Sequence, residues 1–328
     1  MTKLREHAPS LQADRLIAGD GVGLPLRSWL PAGQPVRASV LALHGLNDYA
    51  NAFATTGPAL AAHGIASYAY DQRGFGRAPG RGRWAGADRL VDDAMTAIRL
   101  LRAAAPERPL YLLGESMGAA VAILAANRSF APALPPDGFI LVAPAVWGRE
   151  TMSAAARLGL RLADFLPAMR WTPRGLPISF DPTDNKAVLE ALRADPVVIR
   201  GTRSDTLIGL IDLMSEALAA APRLDAKALI LHGANDRIVP LHPVARFVAA
   251  LPSAASERQR VAFYGSGHHL LLRDHAGPLV TADIVAWIED AKAALPSGAD
   301  RDARARLIAH AHAKRRARAL FQSWRRAS

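Results

Sequence analysis

Apolar residues in this chain fall into two kinds of run. Short, dense runs rich in β-branched or aromatic residues occur at Val40 to Leu43, Ile65 to Tyr70, Leu110 to Leu113, Phe139 to Val142, Ala228 to Leu231 and Arg260 to Tyr264. Each starts or stops near Gly, Pro or a charge, as buried strands do. Between them lie stretches of helical spacing: Phe53 to His63, Arg89 to Ala104, Met117 to Asn127, Pro243 to Ala250 and Leu279 to Ala291. Within Arg89 to Ala104, Leu90, Ala94, Ala97, Ile98 and Leu101 share one face, while Asp92, Asp93, Arg99 and Arg102 fall mainly elsewhere. Strand alternating with helix predicts an α/β fold, a mostly parallel sheet with helices on both faces.

One interval breaks the rhythm. Residues 143–227 separate two predicted strands, whereas an ordinary αβ connection takes roughly 2–6 residues. The interval has helical runs of its own, Met152 to Phe165, Lys186 to Ala194 and Thr206 to Ala220, with Trp147, Trp171 and Pro-containing turns. It reads as an inserted helical cap. The expected organisation is a core in two parts, residues 1–146 and 221–296, a cap over 147–220, and a C-terminal extension over 297–328.

Composition narrows the class without changing that outline. The chain is 50% hydrophobic and 21% charged, ordinary for a globular protein and far from a disordered one. Cysteine is absent, which excludes disulfides, thiolate metal sites and a Cys nucleophile. The net charge of +11 is uneven: residues 299–328 hold nine Arg or Lys against two Asp, leaving only +4 for the rest. No apolar segment follows the N-terminal Met-Thr-Lys-Leu-Arg-Glu-His, and no run of about 18 uncharged apolar residues occurs. A cytoplasmic protein is expected, with peripheral association at the inner face of a membrane left open.

The sharpest chemical signal is Gly114-Glu115-Ser116-Met117-Gly118, which follows a predicted strand and opens a helix of small residues. A strand-to-helix turn this tight leaves no room for side chains at the flanking glycines and lifts the Ser hydroxyl clear of the backbone. The helix N-terminus behind it favours developing negative charge. A Ser hydroxyl needs a base, and the base an orienting acid. In such folds the acid and then the His follow the Ser in the chain. Asp236 stands in the loop after the strand Ala228 to Leu231, where sites in open parallel sheets form. Asp225 precedes that strand and Asp274 follows the candidate His, so both are weaker. After the last strand come two adjacent histidines, His268 and His269, which position alone barely separates.

These blocks together resemble the monoacylglycerol lipase and lysophospholipase branch of the α/β-hydrolases, the serine-aminopeptidase-like group. The matching pieces are Leu43 to Asp48, Tyr70 to Gly76, Gly114 to Gly118, His232 to Pro240 and His269 to Asp274, in family order over residues 14–292. The resemblance implies an α/β-hydrolase fold with an inserted helical cap. Its last block reads aromatic, His, apolar, Leu, a register that puts the base at His269. The implied triad is Ser116, Asp236 and His269. The implied oxyanion hole is made of the backbone N–H groups of Met117 and Leu46. His44 is expected to brace the loop that opens at His44-Gly45, and Asp71 to hold the Asp71-Gln72-Arg73-Gly74-Phe75-Gly76 turn. His44, His232, His268, His269 and His275 show no metal-ligand spacing, so neither a metal nor a cofactor is expected.

The implied activity is that of a serine hydrolase on a single-chain lipid ester. Asp48 stands where monoacylglycerol lipases carry an acid. Ala52 occupies the place of the arginine that marks the glycerol-binding version, which keeps lysophospholipid open as a substrate. Cap residues Leu158, Leu162, Phe165, Leu166, Met169, Trp171, Ile208, Leu210, Ile211 and Leu213 are candidates either to face an acyl chain or to pack on the core. Two other classes compete: a peptidase of the proline iminopeptidase type, for which Glu190 and Asp195 are the nearest acidic anchors, and a non-catalytic binding module. The complete Ser, Asp and His set speaks against the module.

Residues 301–326 contain nine Arg or Lys and no Gly or Pro. Ala313, Ala317, Leu320, Phe321 and Trp324 recur at helical spacing among Lys314, Arg315, Arg316 and Arg318. A basic amphipathic helix suited to an anionic membrane surface is expected here, against a plain solvated extension as the alternative. Nucleic acid is the weakest partner reading, because the body offers no reader motif.

Overall fold

The computed structural model describes residues 8–172 and 181–313. Its centre is a nine-stranded sheet ordered β1-β2-β3-β5-β4-β6-β7-β10-β11. The strands are β1 (Ser10–Leu11), β2 (Arg15–Ile17), β3 (Gly23–Trp29), β4 (Ala38–Leu43), β5 (Ile65–Tyr70), β6 (Leu110–Glu115), β7 (Gly138–Val142), β10 (Ala228–Gly233) and β11 (Gln259–Tyr264). The six sequence-predicted strands are β4 to β7, β10 and β11, and they pair in parallel. The antiparallel edge β1-β2-β3, joined to β5 by Leu26 opposite Tyr70, was not among them. Its strands are short or interrupted by Gly23 and Pro25, and they bury only Leu16, Leu24 and Leu26.

Side-chain alternation along the strands feeds two cores. Leu41 and Leu43 of β4 join Leu112 and Phe263 on one face, with helices α2 (Ala87–Ala104), α3 (Met117–Ala126) and α7 (Leu241–Ala250). Val40 and Ala42 join Leu113, Ile140 and Leu231 on the other, with α8 (Gly277–Glu289), and α1 (Thr56–Ala62) contributes Leu60. The expected helix Phe53 to His63 is two pieces, a 3₁₀ turn at Ala50–Phe53 and then α1. Helix α3 is apolar on nearly every side, because it lies between the sheet, α2 and the later helix α6 (Ser204–Ala220).

Between β7 and β10 come α4 (Ala154–Asp164), a two-stranded ribbon of β8 (Arg170–Trp171) and β9 (Thr202–Arg203), α5 (Lys186–Ala194) and α6 (Ser204–Ala220). Ser153 and Asn185 cap α4 and α5, each accepting a backbone N–H with its side chain. The apolar residues of this insertion divide sharply. Leu210, Ile211 and Leu213 of α6 are buried in the core beside α3. Leu158, Leu162, Phe165, Leu166, Met169 and Trp171 are exposed, Phe165 at 82%.

Beyond α8 the chain returns to the sheet. Residues 303–313 are helical, and Ala303, Leu307 and Ala311, spaced i, i+4, i+8, are buried in the core. Arg306 stacks over the Phe263 ring of β11 and donates to its carbonyl at 3.0 Å. This part of the extension packs on the body. The strip from Ala317 to Trp324 lies outside the described residues. Among the described residues no helix is long and apolar enough to cross a membrane.

Candidate active site

Parallel neighbours β4, β6, β10 and β11 end at one edge of the sheet, and each hands a loop to the same place. The β6–α3 turn is the tightest. Ser116 sits there with φ +55°, a left-handed conformation that is strained for a residue with a Cβ. A Cβ on Gly114 would come within 2.3 Å of the Gly118 carbonyl oxygen, and one on Gly118 within 2.1 Å of the Leu43 carbonyl oxygen. The glycines let strand and helix approach this closely, and the strain is held by the packing around them.

The loop after β11 brings His269 to the Ser. Its Nε2 is 2.9 Å from the Ser116 Oγ, and its Nδ1 is 2.8 Å from the Asp236 Oδ2. Asp236, in the loop after β10, uses its other oxygen to accept the N–H groups of Ile238 and Val239 at 2.8 and 2.9 Å. The structure thus brings Ser116, His269 and Asp236 into one hydrogen-bonded line, and all three are buried. His268 faces away. Its backbone N–H donates to Asp274 Oδ2 at 2.6 Å, and its Nδ1 lies 3.4 Å from the same oxygen. Asp225 pairs with Arg258 at the surface.

The charges follow from this geometry. Burial alone would push the Asp236 carboxyl up, but the charge and hydrogen bond of His269, the nearby His232 and the Val239 N–H hold it below its usual range. Burial alone would likewise lower His269. Asp236 and Glu115 outweigh that effect and the opposing Arg273, so the imidazole is raised above an ordinary histidine. A neutral His269 donating from Nδ1 to Asp236 leaves Nε2 free to accept from the Ser hydroxyl.

The β4 loop supplies the opposite wall. A Cβ on Gly45 would lie 3.3 Å from the Ser116 Cβ, so the backbone before Leu46 runs directly against the nucleophile turn. Met117, the first residue of α3, presents a first-turn N–H with no partner inside the helix. His44 braces the loop: its Nε2 accepts the Gln72 N–H at 2.9 Å, which leaves Nδ1 to donate to the Gly45 carbonyl at 2.8 Å. Burial holds His44 below an ordinary histidine pKa. Asp71 accepts the N–H groups of Ala50 and Arg77 at 2.9 and 2.8 Å, so its carboxylate is occupied in holding the turn.

Three further charged groups surround the line. Arg273 donates to Asp48 Oδ2 and to Glu115 Oε2, both at 2.8 Å. In the sequence Glu115 is the variable letter of the Ser motif, and Arg273 lies unmarked inside the His269 to Asp274 block. Their spacing of 158 residues hides the contact, which only the fold reveals. A cavity of about 330 Å³ beside them is lined by Ala52, Asp48, Asn185, Asp195 and Arg273. Asp184, His268 and Asp274 bring one metal-ligand atom each within 4.8 Å of one another. Two of their oxygens already accept backbone N–H groups, from His275 and His268.

Known proteins resemble this chain in sequence and in fold. A family model described as serine aminopeptidase, S33 matches residues 34–276. The monoacylglycerol lipase of Mycolicibacterium smegmatis is 28% identical over 291 residues, covering 85% of this chain and 98% of that protein. The monoglyceride lipase of Mus musculus is 27% identical over 304 residues, covering 89% and 95%. Among solved structures, a soluble variant of the Saccharomyces cerevisiae monoglyceride lipase with a substrate analogue superposes with a TM-score of 0.70 at 21% identity. That match covers 88% of this chain and 97% of the other. The Paleococcus ferrophilus monoacylglycerol lipase gives 0.65 at 22% identity, covering 81% and 98%. At these identities the structural matches establish the α/β-hydrolase fold.

Proposed function

Since this chain belongs to the serine aminopeptidase S33 family of hydrolases, we propose that it cleaves the carboxylic ester of a single-chain lipid through an acyl-enzyme on Ser116. The observation that carries the reading is the continuous line Ser116 Oγ, His269 Nε2, His269 Nδ1, Asp236 Oδ2, with both links below 3 Å. His269 takes the Ser proton as Oγ bonds to the ester carbonyl carbon. The oxyanion that forms is met by the N–H groups of Met117 and Leu46. Collapse breaks the C–O bond, and His269 returns the proton to the leaving alcohol. Water, deprotonated by the same His269, then releases the fatty acid and restores Ser116. Asp236 fixes the imidazole tautomer and stabilises the imidazolium without taking the proton.

Two features support a lipid as the ester. Relatives spanning most of this chain carry the names monoacylglycerol lipase and monoglyceride lipase. The insertion presents Leu158, Leu162, Phe165 and Leu166 to the outside, an apolar strip that a peptide substrate has no use for. The exposed strip and the basic tail together favour work at a lipid surface, with the tail on anionic lipid. On the head-group side, Ala52, Asp48 and Asp195 line one cavity, so the place of the missing arginine is taken by a small side chain beside acidic ones.

The test is fluorophosphonate labelling read by intact mass, followed by a panel of p-nitrophenyl esters, monoacylglycerols, lysophospholipids and aminoacyl arylamides. The wild type is expected to gain one adduct and to turn over acyl esters. Ser116→Ala should stay folded, take no adduct and lose ester turnover by about 10⁴-fold or more. Turnover confined to the arylamides would replace the lipid reading with a peptidase one.

A further inference from the structure

The loops that carry the nucleophile, the base and the oxyanion donor converge on one buried side chain. Glu115 immediately precedes Ser116. Arg273 follows His269 by four residues, at the end of the 3₁₀ turn Leu271–Arg273. Asp48 follows Leu46 by two. The Arg273 guanidinium spans all three loops, with Nη1 donating to Asp48 and Nη2 to Glu115 at 2.8 Å each. Its side chain is 9% exposed and that of Glu115 is 1% exposed. Two carboxylates therefore share one cation away from water. Among the described residues, Glu115 Oε1 and Arg273 Nε have no hydrogen-bond partner, so the Glu115 carboxylate leans on a single guanidinium N–H.

We propose that Arg273 is a positioning residue: a buried clamp that sets the mutual register of the Ser116, His269 and Leu46 loops and balances the charge behind the imidazole. The proposal rests on the serine-hydrolase reading above and adds to it a residue outside the triad. A buried carboxylate that loses its only cation must take up a proton or move toward water. Either response shifts the loop it belongs to, and here one loop carries the nucleophile and the other the oxyanion donor. Displacements of about 1 Å at such a site cost on the order of a hundredfold in rate.

The arrangement also makes an electrostatic forecast. The charged groups acting on His269 are Asp236 and Glu115, which raise its pKa, and Arg273, which lowers it. Asp48 and Arg273 in turn face Glu115, and His232 lies behind Asp236. Removing the Glu115 charge while keeping its shape should therefore lower the His269 pKa.

The experiment compares wild type, Arg273→Met, Arg273→Lys and Glu115→Gln on p-nitrophenyl butyrate, with kcat/KM measured against pH and Ser116 labelling by fluorophosphonate as the reference. Arg273→Met is expected to lower kcat about tenfold to a hundredfold with little change in KM. Glu115→Gln keeps the hydrogen bond and should move the acid limb to lower pH. Arg273→Lys, which retains the charge and reaches one carboxylate, should recover part of the lost kcat. If Arg273→Met fails to fold, the downward shift expected of Glu115→Gln and the loss in Arg273→Lys decide the matter. Unchanged kcat in both arginine variants, or a Glu115→Gln limb that does not move to lower pH, would overturn the clamp. A wild type that takes no label at Ser116 would instead overturn the underlying hydrolase reading.

Discussion

At the residue scale the site separates two histidines that are neighbours in sequence. His269 is expected to be indispensable, because of the two it is the one that reaches the Ser116 hydroxyl. His269→Ala should abolish ester turnover, while His268→Ala should keep a measurable fraction, read by steady-state kinetics on one ester. The pH dependence follows from the direction of the shifts. His269 must be neutral to accept the Ser proton and is raised above the ordinary histidine value of 6.5. Activity should therefore fall with acidification through a pKa higher than that. Stability runs the other way over this window. The raised His269 contributes stability that is full below its unfolded pKa and is lost as pH rises through the folded one. The depressed Asp236 contributes stability above its own unfolded pKa, and that is lost in acid. Asp236→Asn should lower the imidazole pKa and cost about 10⁴-fold in kcat by permitting the wrong tautomer. A pH–rate profile checks both limbs of this argument. Ser116 and Asp236 stand out in the sequence because each lies in a short local motif, whereas only the register of the resemblance separates His269 from His268. Arg273 does not stand out, because its partners lie in two other loops and no local spacing announces them.

At the element scale, legibility tracked burial on both sides. Strands β4, β6, β7 and β10 are dense apolar runs that a linear scan finds, whereas β1 buries no residue, β2 one and β3 two, and they read as loop. The β6–α3 turn is where sequence and structure fit most tightly, since both flanking glycines sit against backbone atoms rather than flexible side chains. Gly118→Ala would push a methyl into the Leu43 carbonyl and displace β4 or α3. A destabilisation of about 1–3 kcal/mol or more is expected, measured by denaturant unfolding, together with loss of labelling at Ser116. The insertion behaves differently. Its helical periods were visible, but periodicity does not say what covers an apolar face, and the two ends of the insertion resolve that in opposite ways. Leu210 and Leu213 pack on α3, while Leu162 and Phe165 face outward. Leu162→Ser with Phe165→Ser should leave stability nearly unchanged, since little apolar area is lost from the core. The double variant should depress turnover of long acyl chains more than of acetate, in an acyl-length series. A uniform effect across chain length would remove these residues from substrate handling.

At the scale of the whole molecule, the C-terminal extension divides into two parts with different physics. Residues 303–313 lay Ala303, Leu307 and Ala311 into the core and stack Arg306 on Phe263. Leu307→Ala should therefore cost about 2–5 kcal/mol, like other fully buried Leu truncations. A chain ending at Pro296 would lose this contact altogether, so its behaviour on lipid would mix unfolding with lost charge. The clean comparison ends the chain after Ala313. That cut removes Lys314, Arg315, Arg316, Arg318, Arg325 and Arg326, six of the net +11 charges, and no acidic residue. Each such cation near an anionic leaflet is worth about 1 kcal/mol at physiological salt. At that value each, the six are expected to hold the protein at such a surface. The full chain should co-sediment with vesicles containing phosphatidylserine, release them as salt rises, and ignore neutral phosphatidylcholine vesicles. The chain ending at Ala313 should keep its melting temperature and its turnover of a water-soluble ester, yet lose sedimentation with the anionic vesicles. Equal sedimentation of the two chains would place the lipid contact elsewhere, and sedimentation of both with neutral vesicles would assign it to the apolar strip of α4.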